Sequence, residues 1–203
     1  MTPREPSQYF SEQPSGTEIR RTIQARIWGS ELTLITASGV FAADGLDRGT
    51  GVLLRASPIP QDNPRILDLG CGYGPIALAI AVHCPGALVD AVDVNERALA
   101  LCRDNAMALG VADRVRVLPP EDADPDVRYD EIWSNPPIRM GKQALHELLL
   151  TWLARLAPDG VARLVVGKNL GADTLQRWLI EQGYACERVG SAKGFRVLVI
   201  HRK

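Results

Sequence analysis

The run RILDLGCGYGP, Arg65 to Pro75, limits the fold more than any other stretch. A short apolar segment leads into three alternate glycines, Gly70, Gly72 and Gly74. A proline then opens the helical pattern PIALAIAVHC. A strand that ends in glycines and restarts as a helix is a βα turn. Pro75 suits a first helical turn, where an N–H has no intrahelical partner to lose. The alternation then repeats. ALVDAVDV reads as a second strand and NERALALCRDNAMALG as a second helix ended by Gly110. RVRVL and YDEIWS are the third and fourth strands. GKQALHELLLTWLARL is a long amphipathic helix stopped by APDG, GVARLVVG a fifth strand, and ADTLQRWLIEQG another helix. ACERVGSAKGFRVLVIHRK closes as two strands around a glycine turn.

Strands alternating with helices of about 10–15 residues imply an α/β fold with a mostly parallel sheet and helices on both faces. Right-handed crossovers make such a sheet doubly wound. The last two strands are too close in sequence for a crossover helix, so they pair antiparallel. The expected sheet has seven strands. Residues 1–18 read as a loose arm. IQARIWGSELTLITASGVF predicts a β-hairpin, Thr22–Ile27 and Glu31–Thr36, turning at Gly29–Ser30. LDRGTGVLLRAS, 46–57, suits a helix. The expected organisation is therefore an N-terminal arm and hairpin appendage over 1–45 and a main domain over 46–203.

Composition narrows the function. The formal net charge is −1, so a polyanionic partner has to be met by a local basic patch. No run approaches the ~18–20 apolar residues of a membrane span. The N-terminal residues lack the apolar core of a signal peptide, and a cytoplasmic location is the expectation. The four cysteines, at 71, 84, 102 and 186, show no C-x-x-C pair, and the three histidines, at 83, 146 and 201, are scattered. No metal site is expected.

DLGCGYG does not suit a dinucleotide. That fingerprint is G-x-G-x-x-G/A, and its third glycine position here is Pro75. Asp68, two residues before the first glycine, would also repel a pyrophosphate. A cofactor with positive charge and no phosphates fits better. Asp93 ends the second strand, about 20 residues on, where an acid can bind ribose hydroxyls. A free ribose without phosphates points to S-adenosyl-L-methionine. Asp68, Gly70, Cys71, Gly72, Gly74, Asp93 and Val94 are the expected cofactor residues. Glu121, after the third strand, is a candidate for the adenine amine, with Asp122 its rival.

WSNPPIRMGK, Trp133 to Lys142, follows the fourth strand and so lies at the ligand edge of the sheet. The residue before a proline is held extended. Pro136 and Pro137 fix φ and carry no N–H. The side-chain oxygen of Asn135 and the carbonyl of Pro136 therefore make two acceptors for an NH₂ group. Two such bonds localise the lone pair of a planar amine and offset the charge that develops as a methyl group arrives. Asn135 and Pro136 are the expected catalytic residues, with Asn135 also at the cofactor. Pro137, Ile138, Arg139, Lys142 and Lys168 are the expected substrate contacts.

DLGCGYGPI resembles the cofactor loop of class I methyltransferases, which are Rossmann-like. NPPIR-x-GK, taken with SEQPS, SGVF and DVNERA, is similar to the small-subunit ribosomal RNA guanine-N2 methyltransferase family, RsmC-like, in its short single-domain form. That resemblance extends from about residues 9–10 to the C-terminus. It implies methyl transfer to the exocyclic N2 amine of a guanine in 16S rRNA, with rRNA or the small ribosomal subunit as partner. Ile138 stands where adenine-N6 and glutamine enzymes mostly carry tyrosine, which points away from those subclasses. One departure from the short family members stands out: GKNLGAD replaces a lysine-rich segment, keeping Lys168. Adenine N6, a protein glutamine or a small-molecule amine stay open as acceptors. So does a non-catalytic assembly factor that only binds the cofactor.

A base inside a duplex cannot reach such a pocket, so the acceptor has to be unpaired or flipped out. Besides the contacts above, Arg20, Arg21, Arg26, Lys193 and Arg196 are candidate phosphate contacts, and Phe41 or Phe195 a candidate stacking platform. The oligomeric state stays open, with a monomer the leaning.

Overall fold

The computed structural model describes residues 17–137 and 140–203. A two-stranded hairpin comes first, β1 (Arg20–Ile27) and β2 (Ser30–Ala37). Helix α1 (Arg48–Ala56) follows, and then β3 (Arg65–Leu69), α2 (Pro75–His83), β4 (Leu88–Val92), α3 (Glu96–Ala108), β5 (Val115–Leu118) and β6 (Tyr129–Ser134). The chain closes with α4 (Lys142–Leu153), β7 (Leu156–Gly167), α5 (Ala172–Glu181), β8 (Ala185–Ala192) and β9 (Phe195–His201). The main sheet has the order β5-β4-β3-β6-β7-β9-β8. β3 pairs parallel with β4 and β6, and β9 antiparallel with β7 and β8. This is the doubly wound, mostly parallel seven-stranded sheet that the alternation predicts, with the separate hairpin before it.

Each face of the sheet has its own core. Ile66 points to one side, with α1, α2, α3 and the inner face of the hairpin. Leu67 and Leu69 point to the other, against α4 and α5. PIALAIAVH is apolar on every side, and it is buried from Pro75 to Ala81. A helix of that kind needs cover on its outer face as well. The hairpin residues Ala25, Ile27, Leu32 and Leu34 are buried in the same cluster and help supply that cover.

Two boundaries differ from the sequence reading. The hairpin turns at Trp28–Gly29, not Gly29–Ser30, and both residues have positive φ, 46° and 87°. Two positive φ angles suit the right-handed twist of a tight hairpin. Trp28 accepts this conformation because its indole is anchored, its Nε1 donating to the Leu54 carbonyl at 2.8 Å. Strand β7 starts at Leu156 and includes the APDG segment expected to be a loop. The pairing with β6 slips there, from Tyr129 opposite Leu156 to Glu131 opposite Val161.

One buried amide ties the hairpin to the main sheet's helices. Asn105 on α3 accepts from the Ile35 N–H at 2.7 Å and donates to the Ile35 carbonyl at 2.8 Å. It also donates to the Tyr73 carbonyl in the glycine loop at 3.0 Å. Replacing Asn105 with Leu leaves three backbone groups, one buried and two part-buried, without this partner. We expect a loss of about 2–4 kcal/mol in unfolding free energy, measured by urea titration, with an unchanged m-value.

Candidate active site

A cavity of about 470 Å³ opens along the carboxyl edge of the sheet. It reaches from Pro120 beyond β5, past the glycine loop and Asp93, to Asn135 and on to Leu170 and Phe195. Its lining includes the residues that follow both β3 and β6, the point where the strand order reverses, which is the expected ligand position in an open α/β sheet.

The glycine loop is bound to the end of β4. The Gly70 and Cys71 N–H groups both donate to the Val92 carbonyl, at 2.8 and 3.0 Å. The Asp93 carboxylate accepts from the Gly72 N–H at 2.8 Å and the Asn95 N–H at 2.9 Å. Burial pushes the Asp93 carboxyl above its ordinary pKa, and those same N–H groups pull it back down. Each carboxylate oxygen keeps a further lone pair, and Asp93 lines the cavity, so two hydroxyl donors can be met there. Gly70, Cys71 and Val94 line the cavity beside it. Burial, the largest effect, keeps the Cys71 thiol neutral, next to Cys102. Gly74 has a packing task instead. It takes φ +93°, and a Cβ there would sit 2.6 Å from Cys102 Sγ.

Asp68 is fully buried behind the loop and is not part of the cavity wall. One of its oxygens accepts from the Ala77 N–H at the start of α2, at 2.9 Å. Its Oδ1 has no partner among the described residues. Burial raises the carboxyl to about 7. An unsatisfied carboxylate oxygen behind the loop is the kind of group that a cationic cofactor would complement.

At the acceptor end, Trp133 is buried and the Ser134 hydroxyl donates to the Leu69 carbonyl at 2.7 Å, locking β6 to β3. Asn135 follows. Its Nδ2 donates to Asp47 Oδ1 at 2.7 Å and to Thr50 Oγ1 at 3.0 Å. Both amide hydrogens are thereby engaged, and Oδ1 is the amide atom left for the cavity that Asn135 lines. Asp47 and Thr50 belong to the start of α1, where Asp47 Oδ1 also caps the Thr50 N–H at 2.9 Å. Sequence reasoning took LDRGTG only as a helix start. An aspartate at the head of a helix is an ordinary N-cap, and it gave no hint of a second task.

The other expected residues divide. Pro136 and Pro137 line the cavity. Lys142 opens α4 and Lys168 follows β7; both are exposed, outside the wall. The Lys168 N–H donates to the Gly194 carbonyl at 2.8 Å, which sets it next to the turn carrying Lys193. Glu121 is exposed in a 3₁₀ turn off the cavity, while its neighbour Pro120 lines it. Three candidate cations have acidic partners: Arg20 with Glu18 and Asp104, Arg21 with Asp44, and Arg196 with Asp173. Ile138 and Arg139 lie outside the described residues. Phe41 and Phe195 both line the cavity, and Phe41, Val94, Met140 and Leu170 form an exposed apolar mouth. Among the described residues, no group of three metal-ligating side chains is found.

Comparison with known proteins gives the class. Residues 31–199 match the family model "Methyltransferase small domain". The uncharacterized protein YbxB of Bacillus subtilis is 31% identical over 193 residues, covering 94% of this chain and 96% of its own length. Ribosomal RNA small subunit methyltransferase C of Klebsiella pneumoniae is 37% identical over 151 residues, covering 70% of this chain and 44% of that protein. The solved T. thermophilus 16S rRNA N2 methyltransferase RsmC, in complex with AdoMet and guanosine, superposes with a TM-score of 0.79 at 27% identity. It covers 94% of this chain and 52% of the solved one. The chain thus spans about half or less of these rRNA methyltransferases. Fold and site define a class I methyltransferase that uses S-adenosylmethionine. The chain belongs to the methyltransferase small domain family.

The Asp68 carboxyl offers a test of this electrostatic picture. An aspartate in an unfolded chain has a pKa of ~3.9. With the folded value raised to about 7, the folded chain holds a proton that the unfolded chain has released. Stability therefore falls as pH rises through that window, by about 1.4 kcal/mol per unit, and levels off above it. In Asp68→Asn this contribution should vanish. Urea unfolding of both proteins at several pH values between 4 and 8 measures it, and equal slopes would place the titration elsewhere.

Proposed function

We propose that this chain transfers a methyl group from S-adenosylmethionine to the exocyclic N2 amine of an unpaired guanine in small-subunit rRNA. The observation that carries the amine is the Asn135 amide, whose two hydrogens are held by Asp47 and Thr50. The cavity then receives an acceptor from Asn135, beside a proline that has no N–H to offer. An amine bound there donates one hydrogen to Asn135 Oδ1 and the other to the Pro136 carbonyl. The lone pair is drawn out of conjugation and toward the methyl group. The two acceptors also offset the positive charge that forms on nitrogen as the sulfur–methyl bond breaks and the cofactor leaves as a neutral thioether, so no base is needed before attack and the surplus proton is lost to solvent afterward. The remaining requirement is alignment. A singly methylated amine has one hydrogen and satisfies one acceptor, which favours a single transfer per base.

The cofactor supplies an electrophilic methyl group on a sulfonium centre. In this reading Asp93 binds its ribose hydroxyls, and Gly70, Cys71 and Gly72 lie along its backbone. Val94 and Pro120 flank the adenine, and Asp68 balances its charge from behind the loop. Guanine as the acceptor rests on the names of the rRNA relatives and on NPPI in place of NPPY. Phe41 or Phe195 gives a stacking surface for a splayed base. Lys142, Lys168 and Lys193 are the phosphate contacts, alongside Arg139. The apolar mouth formed by Phe41, Val94, Met140 and Leu170 favours one rival, a small-molecule amine.

Radiolabelled S-adenosylmethionine, offered with small ribosomal subunits, free rRNA, DNA and protein extract in parallel, decides between them. Label is expected in small-subunit rRNA, recovered as N2-methylguanosine. Label only in protein, only in small molecules or nowhere would overturn the proposal. In the same assay Asn135→Ala should lower kcat by about 10²-fold or more and leave the cofactor dissociation constant within about twofold. Asp93→Ala should weaken cofactor binding first.

A further inference from the structure

Both hydrogens of the Asn135 amide are held by residues from a helix 85 or more positions earlier in the chain. A primary amide can present either end to a ligand. Turned over, Asn135 would offer N–H groups to the acceptor amine, and donor would face donor. The geometry points to Asp47 and Thr50 as positioning residues for the methyl-transfer site. They hold the amide of Asn135 in the one orientation that presents its oxygen, and so select a group that arrives with hydrogens to give. This rests on the reading of Asn135 as the amine clamp.

Three observations support it. Asp47 Oδ1 is an acceptor at 2.7 Å and Thr50 Oγ1 is a second at 3.0 Å, so each amide hydrogen has its own partner. Asp47 is itself fixed, because the same oxygen caps the Thr50 N–H at 2.9 Å. Thr50 is buried, and Asp47 and Thr50 both line the cavity next to Asn135. A negatively charged acceptor also polarises the amide, making Oδ1 a stronger acceptor for an amine that gains positive charge. The helix cap and the amide anchor are one carboxylate oxygen, so the start of α1 and the clamp move as a unit.

The experiment has a structural and a kinetic arm. Two-dimensional ¹⁵N NMR reads the side-chain amide of Asn135, assigned by its loss in Asn135→Ala. Its hydrogens are expected to exchange at least tenfold more slowly than those of an exposed Asn, and to lose that protection in the double variant Asp47→Ala/Thr50→Val. Equal exchange in wild type and double variant would overturn the proposal, whatever the substrate. The kinetic arm uses small ribosomal subunits lacking the modification. The double variant should lower kcat by about 10²-fold with the KM for S-adenosylmethionine unchanged, and Asp47→Asn, which keeps both the acceptor and the cap, should stay within about tenfold of wild type.

In an Asn135→Ala background the same two substitutions should change kcat by less than about twofold, because the residue they act through is gone. A full second loss in that background would mean that Asp47 and Thr50 act on the fold alone, and would sink the inference. Absence of wild-type turnover on ribosomal subunits counts against the rRNA substrate, and the exchange measurement still decides the role of Asp47 and Thr50.

Discussion

One carboxylate holds the cofactor end of this molecule together. Asp93 stands at the end of β4 and binds the Gly72 amide of one βα loop and the Asn95 amide of the next. Through these bonds the glycine loop and the start of α3 are set relative to each other. Asn95 carries the arrangement outward. Its side chain caps α3 at Ala98 and donates to the Gly39 carbonyl, at 3.0 Å in each case. The loop bearing Val40 and Phe41 is thereby drawn over the cavity. A glycine loop on its own could take many shapes, and a half-buried acid with several backbone donors leaves it few.

The acceptor end is built by the same rule from different parts. Ser134 bonds to the Leu69 carbonyl, so strands β6 and β3 end in register. Asn135 is then met from the other side by the start of α1. The cavity wall thus draws on residues separated by most of the chain, including Phe41, Asp93, Asn135 and Phe195. What brings them to one edge is the topology of a parallel sheet, in which every strand delivers its carboxyl end to the same side.

Much of this was legible in the sequence, and the exceptions have physical causes. Alternating apolar runs and glycine punctuation predict the seven strands and their winding, because period and turn chemistry are local properties. Asp93 was legible from its place at a strand end. Asp90, three residues earlier in the chain, is fully buried in the middle of β4, bound by Arg65, Arg116 and the Tyr129 hydroxyl, whereas Asp93 keeps part of its surface open to the cavity. Position along the strand separates a site acid from a structural one. Asp68 was found by its motif, but its place behind the loop follows from the sheet's pleat, which a motif does not encode. Asp47 and Thr50 escaped because a helix cap and an amide anchor look alike in sequence. The cations were hardest to judge. Arg20, Arg21 and Arg196 look free in a linear chain, and each meets an acid that folding brings beside it.

Helix α1 lies unusually close to the last two strands. A methyl group at Gly49 would come within 2.9 Å of the Phe195 ring, and one at Gly190 would lie 2.9 Å from the Ala56 methyl. The helix is therefore seated at both ends, on β9 by Gly49 and on the bulge of β8 by Ala56. Asp47, the cap of this helix, reaches Asn135 from that seat. The C-terminal strands act as the shim that sets the height of an anchor almost 150 residues upstream. Positions 49 and 195, and 56 and 190, should consequently drift as coupled pairs over evolutionary time, with any gain in bulk on one side matched by a loss on the other.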